Sequence, residues 1–176
     1  IVSAVLVPSN VSAQVQGVPV TVELQTLYPF RDRLTYTVTA ERPVEFSLFL
    51  RIPQWANAPM VYLPGGEIMQ VRAGETAFVR RRWRTGDVVT LRLPMEVAVS
   101  RWYERSAVVE RGPLVYSLRI GEQWSKVRNP GKQIYGPWYY EVRPTTPWNY
   151  TLFEEDVRPE RIAEAFRVER RDIGDA

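Results

Sequence analysis

Along the first hundred positions apolar and polar residues alternate with a period of two, the spacing of strands that bury one face and expose the other. The clearest run is Leu34, Tyr36, Val38 and Ala40, interleaved with threonines. Residues 44–52 repeat it, with Val44, Phe46, Leu48, Leu50 and Ile52 on one face and Glu45, Ser47, Phe49 and Arg51 on the other. Val20, Val22 and Leu24 alternate in the same way with Thr21, Glu23 and Gln25. Residues 1–7 predict a first strand ended by Pro8-Ser9-Asn10, and Tyr28-Pro29-Phe30-Arg31-Asp32 predicts a turn that inserts an aromatic plug. Pro53 closes the 44–52 strand and leaves Gln54-Trp55-Ala56-Asn57 as a surface loop. Further strands are expected at 60–63 and 68–71 around Pro64-Gly65-Gly66, at 76–83, at 88–93, and at 95–100 after Pro94.

The stretch 108–120, VVERGPLVYSLRI, separates two unlike parts of the chain. Leu114, Tyr116, Leu118 and Ile120 share one face, so strand character continues past Gly112-Pro113. Proline has no amide proton for a sheet ladder, which places Pro113 at the first residue of a strand or on an edge. Beyond Ile120 the period weakens. Residues 121–136, with Asn129-Pro130-Gly131, read as a loop, and 140–143 as a short strand inside the aromatic, proline-rich PWYYEVRPTTPWNY of 137–150. Pro159 opens the one expected helix, residues 159–166, of about two turns, and Phe166-Arg167-Val168 reads as the start of another strand. The whole predicts an all-β fold. An antiparallel, jelly-roll-like β-sandwich over 1–104 is followed over 105–176 by a second, incomplete β-rich unit with one short helix.

Composition narrows the chemistry more than the fold. The 176 residues are 45% hydrophobic and 12% aromatic, enough to fill a core without staples. With 23 basic and 20 acidic residues the net charge is only +3. The one dense basic cluster, Arg80-Arg81-Arg82-Trp83-Arg84, reads either as a phosphate-binding patch or as an edge strand whose charges block further pairing. The second reading is preferred because acidic residues are interspersed throughout, and no nucleic-acid partner is expected. There is no Cys and no His. Thiolate nucleophiles, imidazole bases and nearly all zinc sites are thereby excluded from this chain. Carboxylates, Lys126, Lys132, Tyr, Ser and Thr remain. No apolar run is long enough to span a bilayer and no signal peptide is evident, so a soluble chain without a membrane partner is expected, with the cytoplasm favoured. The start at IVSAVLV, without an initiator Met, reads as a piece of a longer protein.

Five motifs stand in a fixed order: TLYPFRDRLTYTV, FSLFLRIPQWA, RRRWRTGDVVTLRLPMEV, VERGPLVYSL and YYEVRPTTPWNYTL. Together they cover most of residues 20–152, and their order resembles the region behind the catalytic barrel in the β-L-arabinofuranosidase-type glycoside hydrolases, family 127 and relatives. The resemblance implies a non-catalytic accessory β-sandwich region flanking a helical (α/α)6 barrel, which would be its partner in the parent chain. In that family the chemistry uses a Cys nucleophile beside zinc-binding Cys and Glu residues, with a Glu as acid/base. None of these carries over to any position here, so no catalytic, cofactor-binding or metal-binding residue is expected in this chain. One departure is LPGGE, where relatives often have an Asn-Gly hairpin.

Paired carboxylates could hydrolyse a glycoside if held about 5–10 Å apart in a cleft. Glu154-Glu155-Asp156 and Glu160/Glu164 are the clusters, and a solvated acidic face is the preferred reading of both. Trp138, Tyr139, Tyr140, Glu141, Trp148, Asn149 and Tyr150 are the candidate sugar-contact or barrel-docking residues. Flat rings suit the C–H faces of sugars, and large aromatics equally suit packing. For Glu141 a salt bridge to a nearby Arg is preferred. Trp148 is expected to be buried with its indole N–H bonded, and Trp138 to be exposed. The alternative to a scaffold is an autonomous carbohydrate-binding module. Asn10-Val11-Ser12 and Asn149-Tyr150-Thr151 match the glycosylation acceptor pattern, a pattern common by chance.

Overall fold

The period-two runs become adjacent strands in the computed structural model, which describes residues 1–129, 131 and 136–169. β1 (Val2–Ser3), β5 (Val44–Arg51) and β8 (Thr76–Trp83) form one sheet in the order β1-β5-β8. The second sheet contains β2 (Ser9–Val15), β3 (Val18–Thr26), β4 (Arg33–Ala40), β6 (Met60–Tyr62), β7 (Ile68–Gln70) and β9 (Asp87–Arg92). Its order is β2-β3-β4-β9-β6-β7, antiparallel throughout. The inward parity holds on β3, β4 and β5. Val18, Val20, Val22 and Leu24 of β3, Leu34, Tyr36, Val38 and Ala40 of β4, and Val44, Phe46, Leu48 and Leu50 of β5 are all buried in one hydrophobic cluster. Trp83 anchors it, stacked on Phe46 at 5.4 Å and donating its indole N–H to the Phe46 carbonyl at 2.9 Å. A buried indole needs that partner.

Several expectations are corrected here. The first strand is only Val2–Ser3, and Ser9 and Asn10, expected with Pro8 to end it, open a full strand, Ser9–Val15, paired to β3 from Ser9↔Leu24 to Val15↔Val18. Val11, Ala13 and Val15 alternate there with Ser12 and Gln14, a short period-two run on a sheet edge, and Val15 packs against the core. Gln16 and Gly17 join the pair, both at positive φ (50° and 73°), the requirement of the two-residue type I′ turn. The 54–57 segment is no surface loop throughout, because Ala56 is buried and Trp55 packs against the core. The Arg cluster does lie on edge strand β8, and Arg80 pairs with Glu45 at 2.8 Å. Arg81, however, shares the inward parity of Val79 and Trp83. Its guanidinium lies 5.6 Å from the Trp83 ring centroid and donates to the Pro64 carbonyl at 3.2 Å.

The quoted motifs converge at one place. Tyr28 of TLYPFRD stacks on Trp55 of RIPQWA, 6.4 Å between centroids and 15° between planes. Gly112 of ERGPLVY sits at φ 59°, where an added Cβ would lie 2.8 Å from Met95 Cγ and 3.2 Å from the Trp55 ring. Arg111 is buried beside Met95, its guanidinium 3.7 Å from the sulfur. Tyr28 is thus the aromatic plug, while Phe30 is exposed.

Two compact units divide the chain: residues 1–98 with 110–114, and 99–109 with 115–176. β10 (Val97–Arg101), β11 (Ala107–Arg111) and β12 (Leu114–Tyr116) form a three-stranded sheet, with Gly112-Pro113 as the turn between its last two strands. In the second unit, β13 (Glu122–Arg128) and β14 (Trp138–Pro144) form an antiparallel pair. β13 replaces the loop expected over 121–136, and β14 extends the short strand expected at 140–143. The helix is the single turn α1 (Ile162–Ala165), shorter than the expected 159–166. Arg161 supplies no side-chain cap and Phe166 is already extended. Residues 166–169 form no strand. Pro130 of the expected Asn129-Pro130-Gly131 turn, and Lys132, lie outside the described residues. Among the described residues no helix is long and apolar enough to cross a membrane.

Candidate functional site

Extended backbone sends successive side chains to opposite faces, and directly opposed residues on paired strands share a face. In the β13–β14 pair Trp124 stands opposite Val142, Lys126 opposite Tyr140 and Arg128 opposite Trp138. These residues, with Glu122 and Pro144, make one face that is exposed along its whole length. Ser125, Val127, Tyr139, Glu141 and Arg143 lie on the other. The candidate residues Trp138 and Tyr140 therefore point one way, and Tyr139 and Glu141 the other. Trp124 and Tyr140 meet edge-on, with centroids 6.0 Å apart and planes at 68°. Lys126 Nζ sits 5.1 Å from the Trp138 ring centroid. The Trp124 indole N–H donates to Glu122 Oε2 at 2.8 Å.

Glu141 is held by its own strand. Arg143 donates to Oε2 at 3.2 Å and the Tyr139 hydroxyl bonds Oε1 at 3.4 Å. The carboxylate is half-buried and paired, a structural arrangement. Trp148, Asn149 and Tyr150 follow in irregular backbone. Trp148 is 67% exposed, which corrects the expected burial: residues 147–150 form no turn that would drive the ring inward. Among the described residues no ring contact joins Trp148 or Tyr150 to the hairpin. Trp138 is exposed, as expected. Thr145 and Thr146 close the base of the hairpin, through Thr145 N–H to the Gly121 carbonyl at 2.9 Å and Gly121 N–H to Thr146 Oγ1 at 2.8 Å.

The glutamates of the acidic clusters are solvated and Asp156 is half-buried. Glu154, Glu155, Glu160 and Glu164 are exposed, and Arg161 binds Glu164 at 3.2 Å. Glu154 lines an open cleft of about 450 Å³ with Arg101, Arg105 and Leu152. One carboxylate facing two guanidiniums is not the pair that glycoside hydrolysis by carboxylates uses. Trp124, Lys126 and Arg128 were missed by sequence reading, since 121–136 looked like a polar loop. The signal was present: seven residues free of Pro and Gly, bounded by Gly121 and by Asn129-Pro130-Gly131, with Trp124, Lys126 and Arg128 in one parity.

The family described as "Beta-L-arabinofuranosidase, GH127 middle domain" matches residues 1–95. Among solved structures, a GH127 β-L-arabinofuranosidase from Geobacillus stearothermophilus T6 is 23% identical with a TM-score of 0.58, covering 90% of this chain and 28% of its own. A structure described as a glycoside hydrolase is 21% identical with a TM-score of 0.58, over 87% of this chain and 30% of that one. A GH127 β-arabinofuranosidase is 17% identical with a TM-score of 0.57, over 80% and 30%. The chain thus spans less than a third of the length of each. No curated protein gives a significant match.

Proposed function

Because the chain belongs to the GH127 middle-domain family, we propose that it is the non-catalytic accessory β-sandwich region of a GH127-type glycoside hydrolase, stabilising or flanking a helical catalytic barrel in the parent protein. The observation that carries this reading is a coincidence of boundaries. The family match ends at residue 95, and the sandwich core is completed by Leu91 and Leu93 immediately before it. The matched segment therefore holds the apolar core, to which residues 110–114 add Arg111 and Gly112 beside Met95 and Trp55. With no Cys and no His in the chain, thiolate or imidazole chemistry has to come from elsewhere in a parent enzyme.

Two assays test this. The purified chain should release no aglycone from an aryl β-L-arabinofuranoside, and turnover above a mock purification would overturn the reading. In the full-length parent, Leu48→Ala should lower the melting temperature of the catalytic part together with that of the sandwich. An unchanged catalytic transition would sink the stabilising role. The exposed rings of the β13–β14 hairpin favour a second reading, a carbohydrate-binding module, which saturable sugar binding by the chain alone would support.

A further inference from the structure

The exposed face of the β13–β14 hairpin combines three rings with two cations, and this combination is more specific than an aromatic patch. Trp124, Tyr140 and Trp138 are 61%, 58% and 48% exposed, so much of their ring surface is open to solvent. Lys126 and Arg128 rise between them on the same face by the strand register. The one carboxylate of that face, Glu122, already accepts the Trp124 indole N–H. From position 124 to position 128 the strand rises about 13 Å, a span longer than one sugar ring.

We propose that this face binds an acidic polysaccharide, a run of sugars bearing carboxylates, laid along the hairpin. The proposal deepens the binding-module reading and is independent of the scaffold role. Each part of the face has a task in it. The electron-rich ring faces attract the polarised C–H faces of sugar rings. Lys126 is held over Trp138 by cation–π attraction, which fixes an ammonium group beside a stacking surface. Arg128 offers a planar fork suited to bidentate carboxylate recognition. A neutral glycan would leave both cations without a counter-charge.

Charge also argues against the other occupants. A second copy stacked on this face would add two more cations to it, with only Glu122 of each copy as counter-charge. Single-stranded nucleic acid also stacks on aromatic rings, yet it is held by a basic groove that tracks many phosphates. Two cations beside Glu122 fall short of that, and the family is one of glycoside hydrolases.

The test titrates the whole chain with a short oligogalacturonate, following tryptophan fluorescence at low and at high salt. A neutral arabino-oligosaccharide and a single-stranded oligonucleotide serve as competing probes. Saturable, salt-sensitive binding of the oligogalacturonate alone is the expected result. Trp124→Ala should weaken it about tenfold. Lys126→Gln, at an exposed position that leaves the strand intact, should weaken it about three- to fivefold and flatten the salt dependence. Trp148→Ala, off the hairpin, should leave it unchanged. No saturable signal, equal affinity for the neutral probe, tighter binding of the oligonucleotide, or a concentration-dependent dimer that excludes the sugar would each overturn the proposal. The scaffold reading rests on parent stability and is untouched by any of these outcomes.

Discussion

At the scale of single residues, burial and parity separate side chains that composition treats alike. Leu48 is fully buried at the centre of β5, so Leu48→Ala should cost about 2–5 kcal/mol through lost transfer energy and the cavity left behind. Arg80 and Arg81 are neighbours with different fates. Arg80→Ala removes an exposed pair with Glu45 and should change stability by no more than about 1 kcal/mol. Arg81→Ala strips the cover from Trp83 and should cost about 1–2 kcal/mol. Arg81 Nε is buried without a hydrogen-bond partner. Arg81→Met should therefore recover much of that loss, because it keeps the apolar stem and removes the orphaned group. Chemical denaturation of the four variants checks the ranking, and equal midpoints for Arg80→Ala and Arg81→Ala would show the parity to be wrong. Tyr36 adds a pH dependence. Burial raises its pKa above the usual 10.0, opposed by the hydrogen bond its hydroxyl makes with Ser3 Oγ at 2.9 Å. The folded state thus holds the phenolic proton more tightly than the unfolded state. Its contribution is complete below pH 10 and is lost as pH rises through the raised folded value. Alkaline denaturation should be displaced to higher pH in Tyr36→Phe, after allowing for that variant's lower stability at neutral pH.

At the scale of elements, turns and motif contacts decide what patterns cannot. The β2–β3 turn places Gln16 at positive φ, where Asn is better tolerated. Gln16→Asn should raise the melting temperature slightly, by the few degrees that about 0.5 kcal/mol implies. Gly112 is constrained twice, by its φ of 59° and by the Met95 and Trp55 side chains where a Cβ would stand. Gly112→Ala should destabilise by about 1–3 kcal/mol, and Gly131→Ala, in open space without a positive φ, should not. Comparing the two melting temperatures tests whether the RGPLVY motif is a packing requirement. The same contacts explain why LYPF, RIPQWA and RGPLVY travel together in one sequence: they build one cluster of Tyr28, Trp55, Met95, Arg111 and Gly112.

At the scale of the whole molecule the two units differ in how much apolar surface they bury. The first contains the continuous cluster from Leu6 to Leu93. In the second, Val157 and Ile162 are the buried hydrophobic residues among those described. Cooperative stability follows buried apolar area, so amides of the β3–β4 pair should exchange with solvent far more slowly than those of β13–β14. Comparable protection in the two pairs would refute the assignment of stability to the first unit.

The sequence by itself determined the long strands of the sandwich, because β3, β4, β5 and β8 turn alternate residues inward and a period of two leaves no choice of face. It also determined the family resemblance, carried by motifs whose order survives without any knowledge of contacts. Tertiary structure alone decided the rest. β2 and β13 bury no residue fully, so their strand state rests on the hydrogen-bonded neighbour more than on burial. The inward turn of Arg81, the half-burial of Trp55 and the exposure of Trp148 depend on what lies opposite each ring or guanidinium. The candidate binding face is the clearest case. Trp138 and Tyr140 are visible in the sequence as aromatic residues, but only the pairing of β13 with β14 sets them beside Trp124, Lys126 and Arg128, residues at least ten positions away.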